Sequence, residues 1–310
     1  MPLHTDYRPS TVDEMVGNET IKDKLNPILA RKKDIPHAFL FSGPRGTGKT
    51  TFGRIIAKAL KCNENLYEYD AANTRGIDTI RDLIHNARYN PMTGHTKVYI
   101  LDEAHQITPD GMEALLKTLE HPPSHAYFIL CTTEPEKLKE TIRSRCMGFI
   151  TETLTNSEIL VLLNGILIKE EIEDYPKSIL QEIAKIVDGI PREALVLLDS
   201  VIDIEDEEKA LKALQKSQIS EAQTKQICQL LIKPSDPKKW EEMQELIRGI
   251  KDVKPETMRY AVLGYFTAIL MSKNTKIHNR TAQMMECFLD NWFYSMKYGM
   301  TYALFMACEM

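Results

Sequence analysis

The chain has 310 residues, of which 43% are hydrophobic and 27% charged, and its formal net charge is -5 at pH 7. That length exceeds a single ordinary core and predicts two or three domains, while the balanced composition excludes fibrous and disordered classes. The acidic balance excludes nucleic-acid binding through the overall field, so any such contact must come from a local patch.

Residues 1–10, MPLHTDYRPS, hold no apolar leader, and no apolar run approaches the roughly 20 residues of a membrane span. A cytoplasmic protein without a membrane partner is therefore expected. Cys62, Cys131, Cys146, Cys228, Cys287 and Cys308 are scattered with no C-x-x-C pair, which predicts buried thiols and neither disulfides nor a zinc knuckle.

From Ala38 to Ile150, short apolar runs alternate with helical patterns: AFLFSG, a helix to about Leu60, KVYILDEA, a helix to about Glu120, and AYFILCTT. Buried β-branched and aromatic runs separated by crossover helices predict a parallel α/β sheet covered on both faces. After Ile150 strand signals fade and helical periodicity takes over in SEILVLLNGILIKEE, KSILQEIAKIVDG and EALVLLDSVI. The charged stretch IEDEEK at 204–209 predicts a domain boundary, and KPSDPKK at 233–239 a second interruption. From Arg259 onward Met, Tyr and Phe recur at helical spacing, the pattern of a core or a subunit interface.

Chemistry concentrates in the first half. Gly43-Pro44-Arg45-Gly46-Thr47-Gly48-Lys49-Thr50-Thr51 stands between a predicted strand and a predicted helix, the context of a phosphate-binding loop. Its glycines let backbone N–H groups close on phosphate oxygens, and the helix N-terminus adds its positive end. Lys49 is expected to bridge the β- and γ-phosphates of ATP and Thr50 to ligate Mg²⁺. Asp102 and Glu103 end the strand KVYILD: Asp102 is placed to hold Mg²⁺ through water, and Glu103 to take a proton from attacking water. Adjacent carboxylates favour water as acceptor over the substrate hydroxyl of a kinase. Thr132 and Thr133 end the next strand, where a hydroxyl could orient water or sense the γ-phosphate. Arg143 and Arg145 close the run EPEKLKETIRSRC, and on spacing alone they read equally as solvated surface or as functional groups.

These motifs, in this order, resemble the AAA+ clamp-loader ATPases, namely the bacterial DNA polymerase III gamma/tau subunit and the small subunits of replication factor C. Tyr7-Arg8-Pro9 followed by Val16-Gly17 resembles the family's opening, which lines the adenine pocket. Asp102 to Pro123 resembles the bacterial Walker B strand and following helix, and Thr133 falls on the first sensor. Ser144-Arg145-Cys146 resembles the motif whose arginine reaches a neighbour's ATP site, and Gly189 to Leu195 resembles the second-sensor helix of the lid, with Arg192 as its arginine. The likeness is dense over residues 5 to 200. It implies an AAA+ core at 1–150, a helical lid at 151–205 and a helical collar for oligomerisation at 206–310.

One departure concerns zinc. The bacterial subunit inserts a cysteine zinc module after its first helix, whereas here Lys61-Cys62-Asn63 runs almost directly into YEYDAANTRGIDTIRDL, which resembles replication factor C instead. No zinc is expected, and the sequence also stops without the long tail of a tau form.

The resemblance implies ATP and Mg²⁺ as cofactors, hydrolysis at subunit interfaces of a pentameric ring of clamp-loader subunits, and the loading of a sliding clamp onto primed DNA without regard to sequence. Arg75 and Gly76, at the start of a helix containing Arg81, and Thr108, as N-cap of the helix from Pro109, are the expected DNA contacts. Rival readings are a AAA+ helicase or recombination-type ATPase, and a scaffold subunit that binds ATP only to shape a ring.

Overall fold

The computed structural model describes the chain apart from residues 1, 32, 63, 74–76, 217–220, 234–235, 237, 250–254, 273–277, 290–295 and 310. It divides into two compact units, Met1–Asp203 and Ile204–Met310.

The first unit opens with α1 (Leu3–Asp6) and α2 (Glu19–Leu29) and continues as alternating strands and helices: β1 (Ala38–Ser42), α3 (Lys49–Ala59), β2 (Leu66–Asp70), α4 (Ile77–Arg88), β3 (Lys97–Asp102), α5 (Pro109–Glu120), β4 (Ala126–Thr132), α6 (Glu140–Arg143) and β5 (Met147–Ile150). All paired strands are parallel, in the order β2-β3-β4-β1-β5. The three runs read from the sequence are the inner strands, β3, β4 and β1. Their central residues are apolar because both of their faces are covered. On one face Leu40, Tyr99, Leu101, Phe128 and Leu130 meet Leu83 of α4 and Leu115 of α5. On the other, Phe39, Phe41, Ile100 and Ile129 meet Phe52 of α3 and Leu25 of α2. Each fully buried aliphatic or aromatic side chain contributes about 1.5–3 kcal/mol, so the layered sheet is the stable platform of the unit.

The two edge strands were not read from the sequence, for a physical reason. β2 is LYEYD, with Tyr67, Glu68 and Asp70 exposed, and β5 is four residues long with Phe149 alone buried. An edge strand has no need of a continuous apolar run, and strand propensity without burial is a weak signal.

Past β5 come α7 (Asn156–Lys169), α8 (Lys177–Ile186) and α9 (Pro191–Val201), the three helices expected from periodicity. A capping box starts α7: the Thr155 hydroxyl accepts from the Glu158 amide at 3.3 Å, and the Glu158 carboxylate accepts from the Thr155 amide at 2.8 Å. Ile159, Leu163, Ile166, Ile179, Ile183 and Leu198 are buried where these helices pack together.

Gly189 precedes α9 with a φ of 76°, and a β-carbon there would overlap the Leu154 carbonyl oxygen. Gly189→Ala is therefore expected to destabilise the first unit by about 3 kcal/mol, combining left-handed strain with a backbone clash. A thermal melt followed by circular dichroism should show Tm lower by roughly 6–12 °C; an unchanged Tm would refute the close approach.

The second unit is helical: α10 (Glu207–Lys216), α11 (Glu221–Ile232), α12 (Lys239–Gly249), α13 (Pro255–Leu270), α14 (His278–Glu286) and α15 (Met296–Glu309). Ile227, Leu231, Met243, Met258, Phe266, Met284, Phe288 and Leu304 form its core, so part of the methionine- and aromatic-rich end is interior packing. Buried Lys239 donates to the carbonyls of Leu231 at 2.9 Å and Lys233 at 3.0 Å, closing the C-terminal end of α11 with its ammonium. Tyr298 and Tyr302, one turn apart on α15, are exposed. Among the described residues, no helix is long and apolar enough to cross a membrane.

Candidate active site

The sheet order places β1 between β4 and β5, so the C-terminal ends of β1, β3 and β4 open side by side, the crevice where parallel α/β sheets take ligands. Register sets Ser42 opposite Thr132. The loop after β1 turns back into α3 with left-handed φ at Gly43, Gly46 and Gly48. Side chains would strain that path, and without them amides can converge on an anion.

Lys49 is 6% exposed, and its ammonium donates to the carbonyls of Gly43 at 2.8 Å and Pro44 at 2.7 Å. Burial lowers its pKa, against the opposing pull of Glu103. Beside it the Thr50 hydroxyl donates to Asp102 Oδ2 at 2.8 Å. This hydroxyl–carboxylate pair is an all-oxygen donor set of the kind Mg²⁺ takes, and it fits an ion held partly through water. Thr51 follows in the first turn of α3, half-buried, and Pro44 and Arg45 are exposed at the tip of the loop.

Glu103 leaves β3 in the left-handed region, φ 49°, with its amide donating to Asp102 Oδ1 at 3.0 Å. A non-glycine residue in this conformation stores about 1–2 kcal/mol, strain that functional sites tolerate. It turns the carboxylate toward β4, where Thr133 Oγ1 donates to Oε2 at 3.3 Å. The structure thus brings Lys49, Thr50, Asp102, Glu103 and Thr133 together.

His105 was passed over in the sequence. Its side chain is 5% exposed, with Nδ1 3.0 Å from Thr132 Oγ1 and 3.5 Å from Glu103 Oε2, and Nε2 3.1 Å from Glu134 Oε1. It bridges the strand ends of β3 and β4 behind Glu103. The only available signal was a histidine three residues beyond Asp102.

Arg192 lies in the first turn of α9, exposed, and its β-carbon would come within 3.3 Å of a β-carbon at Gly46. Its charge is among those felt by Lys49. Tyr7, Arg8 and Pro9 are half-buried after α1. The Tyr7 ring lies 5.8 Å beneath Lys169 Nζ, and its hydroxyl bonds to Glu170, which raises the phenol pKa. Val16 is half-buried and Gly17 buried against Leu154 and Glu158, while Met15 packs on Gly48. The opening segment therefore reaches both the loop and α7.

Arg145 has other partners: its guanidinium donates to the Thr141 carbonyl at 2.8 Å and to Glu120 Oε1 at 2.6 Å. Burial pushes the neighbouring Cys146 thiol up to about 12. Thr108 is the N-cap of α5, its hydroxyl accepting from the Gly111 amide at 3.3 Å, with Pro109 in the first turn. Arg75 and Gly76 lie outside the described residues.

Residues 66–154 match the family described as DNA polymerase III, delta subunit. The chain is 36% identical over 297 residues to the DNA polymerase III subunit tau of Bacillus subtilis, covering 87% of this chain and 52% of that one. It is 41% identical over 225 residues to the gamma/tau subunit of Mycoplasma genitalium, covering 66% and 37%. With the tau subunit of Escherichia coli it shares 37% over 230 residues, covering 67% and 36%. The chain thus spans about half the length of the first of these relatives and little over a third of the others. Among solved structures, the Thermotoga maritima RuvB Holliday junction branch migration motor superposes with a TM-score of 0.60 at 23% identity, covering 73% of this chain and 80% of that one, a likeness of fold. By sequence the chain is related to the gamma and tau subunits of DNA polymerase III and by fold to the RuvB motor, in agreement with the AAA+ clamp-loader resemblance that its motifs carry.

Proposed function

We propose that this chain binds ATP with Mg²⁺ and hydrolyses it to open a ring-shaped sliding clamp and load it on primed DNA, as one subunit of a pentameric loader in the cytoplasm. The observation that carries the reading is the convergence of Lys49, Thr50, Asp102, Glu103 and Thr133 at one sheet edge, in a chain related along most of its length to DNA polymerase III gamma and tau subunits.

The chemistry follows from the groups. Lys49 exchanges its two loop carbonyls for oxygens of the β- and γ-phosphates. Mg²⁺, held by Thr50 and through water by Asp102, would offset the charge that gathers on those oxygens in the transition state. Glu103, held by Thr133, accepts the proton of the water that attacks the γ-phosphorus. Arg192 reaches the same phosphate from the helices after the sheet, so ATP draws that helical lid and the core together. Arg145 completes a neighbour's site, which makes hydrolysis conditional on assembly. Exposed Tyr298 and Tyr302 belong to a collar where subunits join. DNA contact is assigned to Thr108, at the N-terminus of α5, and on sequence alone to Arg75 and Gly76, and is made to phosphates, which carry no sequence information.

Lys49→Ala removes a charge from a nearly closed site and is expected to weaken ATP binding at least thirtyfold, since truncating one partner of a buried charge pair costs about 2–5 kcal/mol. Fluorescent-ATP titration checks it, and undiminished affinity would contradict the phosphate-loop assignment. For the function itself, steady-state ATP hydrolysis is measured with companion subunits, with and without sliding clamp and primed template. Stimulation by clamp and DNA together supports the loader; stimulation by DNA alone points to a helicase-like motor, and bound ATP without turnover to a scaffold.

A further inference from the structure

The segment that leads from β5 into α7 is fastened to the candidate nucleotide site at consecutive residues. Thr151 is 1% exposed, and its hydroxyl oxygen lies 2.7 Å from that of Thr47, also 1% exposed. Thr47 Oγ1 is in turn 2.8 Å from the Pro44 carbonyl, whereas Thr151 Oγ1 is 3.2 Å from the Ser42 carbonyl. Each hydroxyl has one proton to give. The two shorter distances assign them: Thr151 donates to Thr47, and Thr47 donates to the Pro44 carbonyl. The backbones are as close, with the Thr151 amide donating to the Ser42 carbonyl at 2.7 Å and Gly43 so near that a β-carbon there would overlap the Thr151 carbonyl oxygen.

Glu152 continues the attachment on the other side. Its amide donates to Asn18 Oδ1 at 2.8 Å, and its carbonyl accepts from Asn18 Nδ2 at 3.4 Å, next to Val16 and Gly17. Two residues on, the Leu154 amide donates to the Gly189 carbonyl at 2.7 Å, just before the helix that carries Arg192.

A buried hydroxyl is favourable only while bonded, and valine would fill the same space. The Thr47–Thr151 pair therefore points to a requirement for the bond itself. The Pro44 carbonyl is shared between the Thr47 hydroxyl and the Lys49 ammonium, at 2.8 and 2.7 Å. Once Lys49 turns to a phosphate, the Thr47 hydroxyl is left to hold that carbonyl, and Thr151 fixes how Thr47 points.

We propose that Thr151 is a positioning residue of the nucleotide site, its hydroxyl holding Thr47 and through it the Pro44–Gly46 turn, so that the shape of the phosphate loop and the setting of the segment leading to α7, α8 and α9 are one variable. Nucleotide in the loop then fixes the segment, and displacement of the segment loosens the grip on phosphate. The inference rests on the reading of the loop as an ATP site.

The test uses the full chain with its companion subunits and the variants Thr151→Val, Thr151→Ser, Thr47→Val and the double valine variant. Fluorescent-ATP titration is expected to give a Kd about tenfold weaker for Thr151→Val, the size of one lost hydrogen bond, and a value within twofold of the unsubstituted protein for Thr151→Ser. Thr47→Val should be at least as weak as Thr151→Val, since it also removes the bond to the Pro44 carbonyl, and the double variant should match Thr47→Val, because Thr151 acts on the loop through Thr47. A merely structural role would lower Tm without changing the Kd of the folded fraction or requiring rescue by serine. Unchanged Kd for Thr151→Val, or a serine variant as weak as the valine one, overturns the proposal while leaving the ATP site standing. Failure of the unsubstituted protein to bind ATP overturns both.

Discussion

Glu103→Gln is expected to slow ATP hydrolysis by about two to four orders of magnitude while ATP binding stays within a few fold of the unsubstituted protein. The substitution keeps the shape of the side chain and an oxygen for Thr133, which now donates to Oε2 at 3.3 Å. What it removes is the ability to accept a proton from water. The backbone at Glu103 should hold as well, because its left-handed turn is secured by the amide bond to Asp102 Oδ1 at 3.0 Å. Single-turnover hydrolysis and fluorescent-ATP titration on the same preparation separate chemistry from affinity. Turnover that survives the change would place the base elsewhere and demote Glu103 to an electrostatic part; a matching loss of binding would show that the carboxylate shapes the site and does no chemistry.

An effect of similar size is expected from Arg145→Ala, about a thousandfold or more in hydrolysis, if its guanidinium completes the site of an adjacent subunit. The decisive form of this experiment mixes two inactive proteins. Lys49→Ala retains the arginine and lacks the phosphate contact, while Arg145→Ala retains the phosphate contact and lacks the arginine. Mixed assemblies contain interfaces at which both are intact, so a fraction of the hydrolysis should return as the two are combined in varying ratio. No return of activity, or normal hydrolysis by Arg145→Ala alone, would show that the arginine has no role in trans.

The legible parts of this molecule were those whose meaning is local. The glycine-rich loop before α3, the Asp102–Glu103 pair and the inner strands are short contiguous patterns, and each was read from its own neighbourhood. The cap of α5 was legible for the same reason: Thr108 before Pro109 announces the start of the helix, and the structure puts its hydroxyl on the Gly111 amide. The edge strands β2 and β5 were not, since exposure removes the apolar run that marks a strand. Nor were the bonds that give the site its shape. Thr47 and Thr151 are 104 residues apart and Asn18 and Glu152 are 134 apart, and polar residues in loops look alike until folding sets them side by side. His105 is the intermediate case: its position near the acidic pair was visible, but its bridge to Thr132 and Glu134 depends on β3 and β4 being neighbours in the sheet.

The ion pair between Arg145 and Glu120 bears on how an assembly of such chains would come apart. A guanidinium that reached a neighbour's phosphate would have to leave Glu120, at little cost, since a partly exposed pair of this kind is worth about 0–1 kcal/mol. The arginine would then have two alternative resting places. Loss of the γ-phosphate would remove one of them, and the side chain would have its own carboxylate to return to, which would make release of a neighbour a swap of partners and not the stranding of a charge.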